Sequence, residues 1–294
     1  MGRVSARSVR ACVVGLAAAA GCAALLGTPA AAQPATGGTG THERGGPDVI
    51  AHRGSSGMAP ENTEAAIELA IEQNADYVEI DVQRTSDGRL VNFHDCTLER
   101  TTDVEEVFPG RDSYRVSDFT WDELSQLDAG SWFHDSYAGE PIVPLHRVFA
   151  LTSGRTNVLA EISPCEQYEG LAADLAEALL DHPGEAAART RDDLAVQSFE
   201  IDDLREFHAL LPDVPVGFLD AEVPTGAELA DLAGWADQVN PQYTVTDQAL
   251  VDRLHDLGYE VNVWTVDEPG AMRRMVDLGV DGIITDYPQS LTQP

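Results

Sequence analysis

What most constrains this chain is a regular alternation: short, β-branched apolar runs are separated by longer segments whose apolar residues recur every three or four positions. Strand-like runs lie at 49–52, 77–82, 90–94, 157–162, 194–199, 214–219, 238–241, 260–266 and 282–285. The segment after the first run shows the helical period. Pro60, Asn62 and Thr63 are start signals, and Ile67, Ala70 and Ile71 share one face. Leu171, Leu175, Ala178 and Leu179 repeat the pattern, as do Leu250, Leu254 and Leu257 ahead of Gly258. Strand, helix, strand repetition needs a parallel sheet, because each strand must be re-entered from the same end. At 294 residues, the chain suits an α/β fold of the TIM (β/α)8 barrel type, typically about 250 residues, with an open doubly wound sheet as the alternative. Nine strand candidates compete for eight places. The stretch between residues 96 and 143 exceeds an ordinary strand-to-helix link. It predicts a small insertion after the third strand, over the barrel mouth, with a short helix start at 119–124.

The amino terminus reads as an address. Arg3, Arg7 and Arg10 precede an apolar run at 11–26, and Ala30, Ala31 and Ala32 supply small residues for cleavage. Residues 1–32 are therefore predicted to be a signal peptide and 33–47, rich in Gly, Thr and Pro, a flexible lead. One domain follows at 48–294. Gly15, Gly21 and Gly27 leave the run too short and too weakly apolar for a stable membrane anchor. Ala19-Ala20-Gly21-Cys22 is a poor lipid-attachment motif, since the apolar stretch continues past Cys22, so secretion is preferred to lipid anchoring. Cleavage leaves Cys96 and Cys165 alone, and in an oxidising compartment two cysteines suggest one disulfide; two unrelated buried thiols are the alternative.

Charge excludes whole classes of function. With 18 basic and 50 acidic residues, net −32, the chain lacks the cationic surface that grips nucleic acid. Its 43% hydrophobic content still allows a core. Every basic residue is Arg, so Schiff-base chemistry and a phosphate-loop lysine are ruled out.

Ionisable residues close several of the apolar runs: His52 and Arg53 follow 49–51, His94 and Asp95 follow 91–93, Glu79 and Asp81 flank Ile80, and Glu161 precedes Ile162. In a barrel such positions share the rim where active sites sit. Glu79 and Asp81, two apart on a strand, project from the same face and repel unless a cation, a proton or an arginine intervenes. With Glu161 they form an all-oxygen set suited to one divalent metal, Ca²⁺ or Mg²⁺, although a solvated acidic patch fits the same letters. His52 and His94 are candidate acid and base. Arg53 offers a fork for phosphate oxygens, or a salt bridge to those acids.

In order and spacing, Ala51-His52-Arg53-Gly54, Pro60-Glu61-Asn62-Thr63, Glu79-Ile80-Asp81-Val82, His94-Asp95 and Arg100-Thr101-Thr102 resemble the glycerophosphodiester phosphodiesterase family. So do Glu161-Ile162, Gln197-Ser198-Phe199, Val263-Trp264-Thr265-Val266 and residues 279–288. The resemblance implies a metal-dependent barrel enzyme that hydrolyses small-molecule glycerophosphodiesters to glycerol 3-phosphate and an alcohol. Carried over by position, it makes His52 and His94 the acid/base pair, Arg53 the phosphate contact, and Glu79, Asp81 and Glu161 the metal ligands. Glu61 supports the site, and Trp264 forms a pocket wall. It also implies attack by the neighbouring glycerol hydroxyl, through a cyclic phosphate, with direct attack by water as the alternative. Ser163 stands where the family usually has lysine, which leaves the phosphate charge to Arg53, the metal or another arginine. Cys96, two after His94, and Cys165, four after Glu161, are expected to pair across the rim. A phospholipase D or sphingomyelinase D-like activity is the nearest rival and needs an apolar rim; Trp132 and Phe133 are expected to pack inside the insertion instead. A secreted, non-catalytic phosphodiester- or calcium-binding protein is the rival of another class.

Overall fold

A computed structural model describes residues 45–163, 165, 169–181 and 193–292. The signal peptide and most of the lead expected from the sequence lie outside these residues. The first barrel strand is β1 (Asp48–Ala51), followed by α1 (Glu64–Glu72) and β2 (Tyr77–Arg84). Next come β3 (Leu90–Asn92), two short helices α2 (Val104–Val107) and α3 (Trp121–Leu124), and β4 (Val143–Pro144). The regular alternation then resumes with α4 (Leu145–Thr152), β5 (Asn157–Ile162), α5 (Leu171–Asp181), β6 (Leu194–Ser198), α6 (Ile201–Leu210) and β7 (Val216–Asp220). It ends with α7 (Gly226–Leu232), β8 (Gln238–Pro241), α8 (Gln248–Asp256), β9 (Asn262–Val263), α9 (Pro269–Leu278), β10 (Gly282–Thr285) and α10 (Gln289–Thr292).

Eight parallel strands run in the order β8-β7-β6-β5-β2-β1-β10-β9. Parallel bridges Gln238–Glu260 and Gln242–Trp264 join β8 to the β9 segment and close the ring. The fold is thus the expected (β/α)8 barrel. The supernumerary candidate is the third run: β3 lies outside the ring, antiparallel on β2, and β4, absent from the sequence reading, pairs antiparallel with β3. The reason is the length of β2. Residues 77–82 pair with β5 inside the barrel, while Val82, Gln83 and Arg84 run past the rim and receive β3 as a hairpin. A hairpin reverses direction, so the far end of β3 returns to the mouth.

Period-two alternation sorts the side chains. Val78, Ile80 and Val82 pack outward with Ile67, Val158, Ala160 and Leu175 in the layer between strands and helices. Ile50, Leu159, Ala195 and Ile284 form a small apolar plug inside the ring with Tyr77 of β2 packed against it, and the inward positions of β2 that follow are Glu79, Asp81 and Gln83. The insertion has a core of its own, built from Val91, Phe93, Leu98, Val116, Phe119, Leu124 and Ile142. Thr120 starts α3 with a reciprocal capping box to Glu123. Trp132 does not join this core: it remains 40% exposed, and its indole N–H donates to the Ala129 carbonyl at 2.8 Å. Phe119 and Leu124 already fill the interior, which corrects the expectation of a buried aromatic pair. Cys96 and Cys165 form a disulfide with Cα atoms 5.7 Å apart, tying the return from β3 to the loop after β5. Among the described residues no helix is long and apolar enough to cross a membrane.

Candidate active site

The turn after β1 is bent by two left-handed residues, Arg53 at φ 55° and Gly54 at φ 81°. Gly54 is required there, because a Cβ would meet the Ala66 carbonyl carbon at 2.6 Å. Arg53 accepts an unfavourable backbone conformation, and the bend delivers both its ends to the acids. Its backbone N–H donates to Glu79 Oε2 at 2.7 Å. Its guanidinium donates to Glu61 Oε1 at 2.9 Å and lies 3.3 Å from Asp81 Oδ2. Asn62, also left-handed at φ 59°, donates from Nδ2 to Asp81 Oδ2 at 2.7 Å.

Glu79, Asp81 and Glu161 are all buried, and one carboxylate oxygen of each lies within 4.8 Å of those of the others. Burial, then the neighbouring charges of Asp81 and Glu161, push the Glu79 carboxyl well up. Burial and Asp81 likewise push Glu161 up to about 8. Glu79 Oε1 is buried without a hydrogen-bond partner, and Gln197 Nε2 reaches Glu161 Oε2 at 3.2 Å. Three crowded carboxylates and an unsatisfied buried oxygen fit a hard divalent cation, which prefers oxygen donors and removes the repulsion.

Gln83, the next inward residue of β2, holds the end of the hairpin. Its Nε2 reaches the carbonyl oxygens of Phe93, His94 and Asp95 at 2.7, 2.9 and 2.7 Å, while Phe93 N–H donates to the Asp81 carbonyl at 2.9 Å. His94 is therefore at the rim by way of the hairpin, not as the end of a barrel strand of its own. Each histidine presents Nδ1 to an aspartate: His52 to Asp286 Oδ1 at 2.6 Å, His94 to Asp95 Oδ1 at 2.7 Å. Such a contact fixes the ring and leaves Nε2 free for proton transfer.

The two aspartates sit in different surroundings. Asp95 also binds Arg100, whose Nε and Nη2 donate to Oδ2 and Oδ1 at 2.5 and 2.9 Å. Arg100 makes a second fork to Glu61, at 2.7 Å to each oxygen. Burial works against the Glu61 charge, but hydrogen bonds from Arg100 and the Arg53 charge hold its carboxyl below the ordinary range. Among the described residues no arginine forks onto Asp286, whose side chain meets His52 and Ser56. Burial opposes its charge too, yet the bonds from His52 and from Ser56 Oγ (2.9 Å) keep its carboxyl low. Behind it, Asp267 Oδ1 accepts from the Asp286 N–H at 2.9 Å.

His52, Arg53, Glu61, Glu79, Asp81, His94 and Glu161 are thus joined at one end of the barrel. Trp264 stands on the same rim beyond β9, its indole N–H on the Asn240 carbonyl at 2.8 Å and its ring edge-to-face with Phe199 at 5.3 Å. Ser163 is buried, bonded through its N–H to the Val82 carbonyl at 3.2 Å, and its Oγ accepts from Cys165 N–H at 3.4 Å. Sequence reasoning overlooked four residues: Asp95 and Asp286 as histidine partners, Arg100 as the bridge between Glu61 and Asp95, and Asn62 on Asp81. Asp95, next to His94, was within reach of it.

The profile of the Glycerophosphoryl diester phosphodiesterase family matches residues 52–290. A glycerophosphodiester phosphodiesterase of Caldanaerobacter subterraneus subsp. tengcongensis is 37% identical over 246 residues, covering 83% of this chain and 95% of the relative. One from Bacillus subtilis is 31% identical, covering 82% and 83%. Among solved structures, a phosphodiesterase from Oleispira antarctica in complex with the product sn-glycerol-3-phosphate superposes with TM-score 0.73 at 32% identity, covering 84% of this chain and 95% of that one.

Proposed function

The chain belongs to the glycerophosphoryl diester phosphodiesterase family, a family of hydrolases, and we propose that it is a secreted, metal-dependent enzyme that cleaves glycerophosphodiesters by histidine acid/base catalysis. The reading rests on one observation: two histidine–aspartate pairs, Arg53 and a three-carboxylate cluster converge at the barrel mouth. Glu79, Asp81 and Glu161 would hold one divalent cation, Ca²⁺ or Mg²⁺. When bound, it supplies positive charge beside the phosphoryl oxygens as negative charge grows in the transition state.

The remaining work belongs to the side chains. Arg53, held by Glu61 and Asp81, directs its fork at a nonbridging oxygen; no lysine shares the task, since Ser163 replaces it. One imidazole takes the proton of the nucleophile through Nε2 and the other returns a proton to the leaving alcohol. Nδ1 of each is occupied by its aspartate, so both rings are oriented before substrate arrives. The nucleophile is the neighbouring glycerol hydroxyl, and water opens the cyclic phosphate in a second step. The signal peptide expected at 1–32 supports export, and the Cys96–Cys165 disulfide suits an oxidising compartment.

The test is release of glycerol 3-phosphate from a panel of glycerophosphodiesters, after chelation and again after adding back Ca²⁺ or Mg²⁺. Release restored only by the cation supports the reading. No release under either condition overturns it and favours a binding protein.

A further inference from the structure

The insertion carries an aromatic turn that the mechanism above does not use. Asp128 fixes its ends. Oδ1 accepts the N–H groups of Gly130 and Ser131 at 2.8 and 2.9 Å, and Oδ2 accepts Ser131 Oγ and Gly139 N–H at 2.6 and 2.8 Å. Burial works against this carboxylate, but the ring of donors holds it down to about 2. Gly130 closes the turn so tightly that a Cβ would lie 2.0 Å from the Tyr137 carbonyl oxygen.

Three rings stand on this base. Trp132 meets Phe133 edge-to-face at 5.6 Å, and Phe133 meets Tyr137 at 5.8 Å. The Trp132 indole N–H is already bonded to the Ala129 carbonyl within its own turn, so the ring is held in place and still 40% exposed. A ring held this firmly with part of its surface left in water is available to meet a ligand.

The turn touches both arms of the site. On one side the Arg100 guanidinium carbon lies 5.9 Å from the Trp132 ring centre, and Arg100 binds Asp95, the partner of His94. On the other, Tyr137 Oη donates to the Met58 carbonyl at 3.1 Å. Met58, 50% exposed, follows Gly57, whose N–H donates to the Asp286 carbonyl at 3.0 Å, and Asp286 is the partner of His52. The rings are therefore tied, through these contacts, to the aspartate partner of each imidazole.

Resting on the phosphodiesterase reading, we propose that Trp132, with Phe133, Tyr137 and Met58, forms the subsite for the leaving alcohol and selects alcohols that carry a quaternary ammonium group. Ring faces attract a weakly hydrated cation within about 6 Å. Arg100 brings no net charge against it, since its guanidinium is forked onto both Glu61 and Asp95. A chain of net charge −32 favours a cationic group over an anionic lipid surface.

The test compares kcat/KM for glycerophosphocholine with that for its uncharged isostere, in which a tert-butyl group replaces trimethylammonium, using the metal-loaded full chain. The ratio cancels any general loss of activity. Trp132→Ala lowers the preference for the cation roughly 3- to 30-fold, and Trp132→Phe recovers part of it. Choline alone, titrated against tryptophan fluorescence, gives a saturable change in the wild type that Trp132→Ala removes. An unaltered ratio, or an equal fall for both substrates, overturns the proposal. Loss of binding to phosphatidylcholine vesicles in Trp132→Ala with the ratio intact also overturns it, and makes the rings a membrane contact. If the wild type cleaves no glycerophosphodiester, the hydrolase reading fails separately, and the choline titration still decides the subsite.

Discussion

At the residue scale, the site is a set of charges that tolerate one another only together. His52 and His94 hold Nδ1 on aspartates, so replacing either by Ala removes an acid or a base while the carboxylate cluster stays. Each should lower kcat by about 10² to 10⁴; near-wild-type turnover in both variants would reject the assignment. Glu161 gives a prediction of opposite character, readable without substrate. Its carboxyl, pushed up to about 8 from an ordinary 4.5, keeps a proton in the folded chain that the unfolded chain has released. In the cation-free protein, stability should therefore fall as pH rises from about 4.5 to 8. A divalent cation displaces that proton, so thermal melting with Ca²⁺ or Mg²⁺ should show a shallower slope than melting with chelator. Identical slopes would count against the three carboxylates as the cation site. The candidate acids, bases and ligands were readable because each interrupts or closes an apolar run. Arg100 and Asp286 were not, because what defines them is contact across the chain: Arg100 meets Glu61 across 39 positions and Asp286 meets His52 across 234.

At the scale of elements, eight strands were visible as apolar runs bounded by helical periods. The run that became β3 carried the same signal, since a hairpin strand packed on the insertion core is as apolar as a barrel strand. Only the overlong β2, with its polar Gln83 buried under the hairpin, distinguishes the two, and β4 is too short to register as a run at all. The disulfide braces this arrangement by joining the peptide after His94 to the loop that follows Glu161. It closes a loop with a sequence separation of 69, for which chain entropy assigns roughly 4 kcal/mol. The double variant Cys96→Ser/Cys165→Ser should unfold at distinctly lower urea, with a somewhat steeper slope against denaturant because its unfolded chain is no longer crosslinked. Its kcat should fall as well, because the hairpin end is left to the hydrogen bonds from Gln83 and Phe93. Unfolding at the wild-type midpoint would show that the bond contributes nothing to the fold.

For the whole molecule, acidity is the property that composition exposes most directly. With net charge −32, long-range repulsion opposes an anionic diester until it reaches Arg53. The kcat/KM for glycerophosphoglycerol, which carries a net negative charge, should rise as salt increases from about 10 mM to 150 mM, where the screening length contracts from roughly 30 to 8 Å. Zwitterionic glycerophosphocholine should respond less; equal responses would place the substrate beyond the reach of the surface field. One feature of the architecture extends further than any single rate. The chain enters the insertion through β3 and leaves it through β4, two strands that pair with each other, so the piece between them begins and ends side by side, and the Cys96–Cys165 bond fastens it again to the loop after β5. Such a piece is a natural cassette. Exchanging its outer part among relatives, with His94, Asp95, Cys96 and Arg100 retained, offers a way to transplant one protein's taste in alcohols onto another's chemistry.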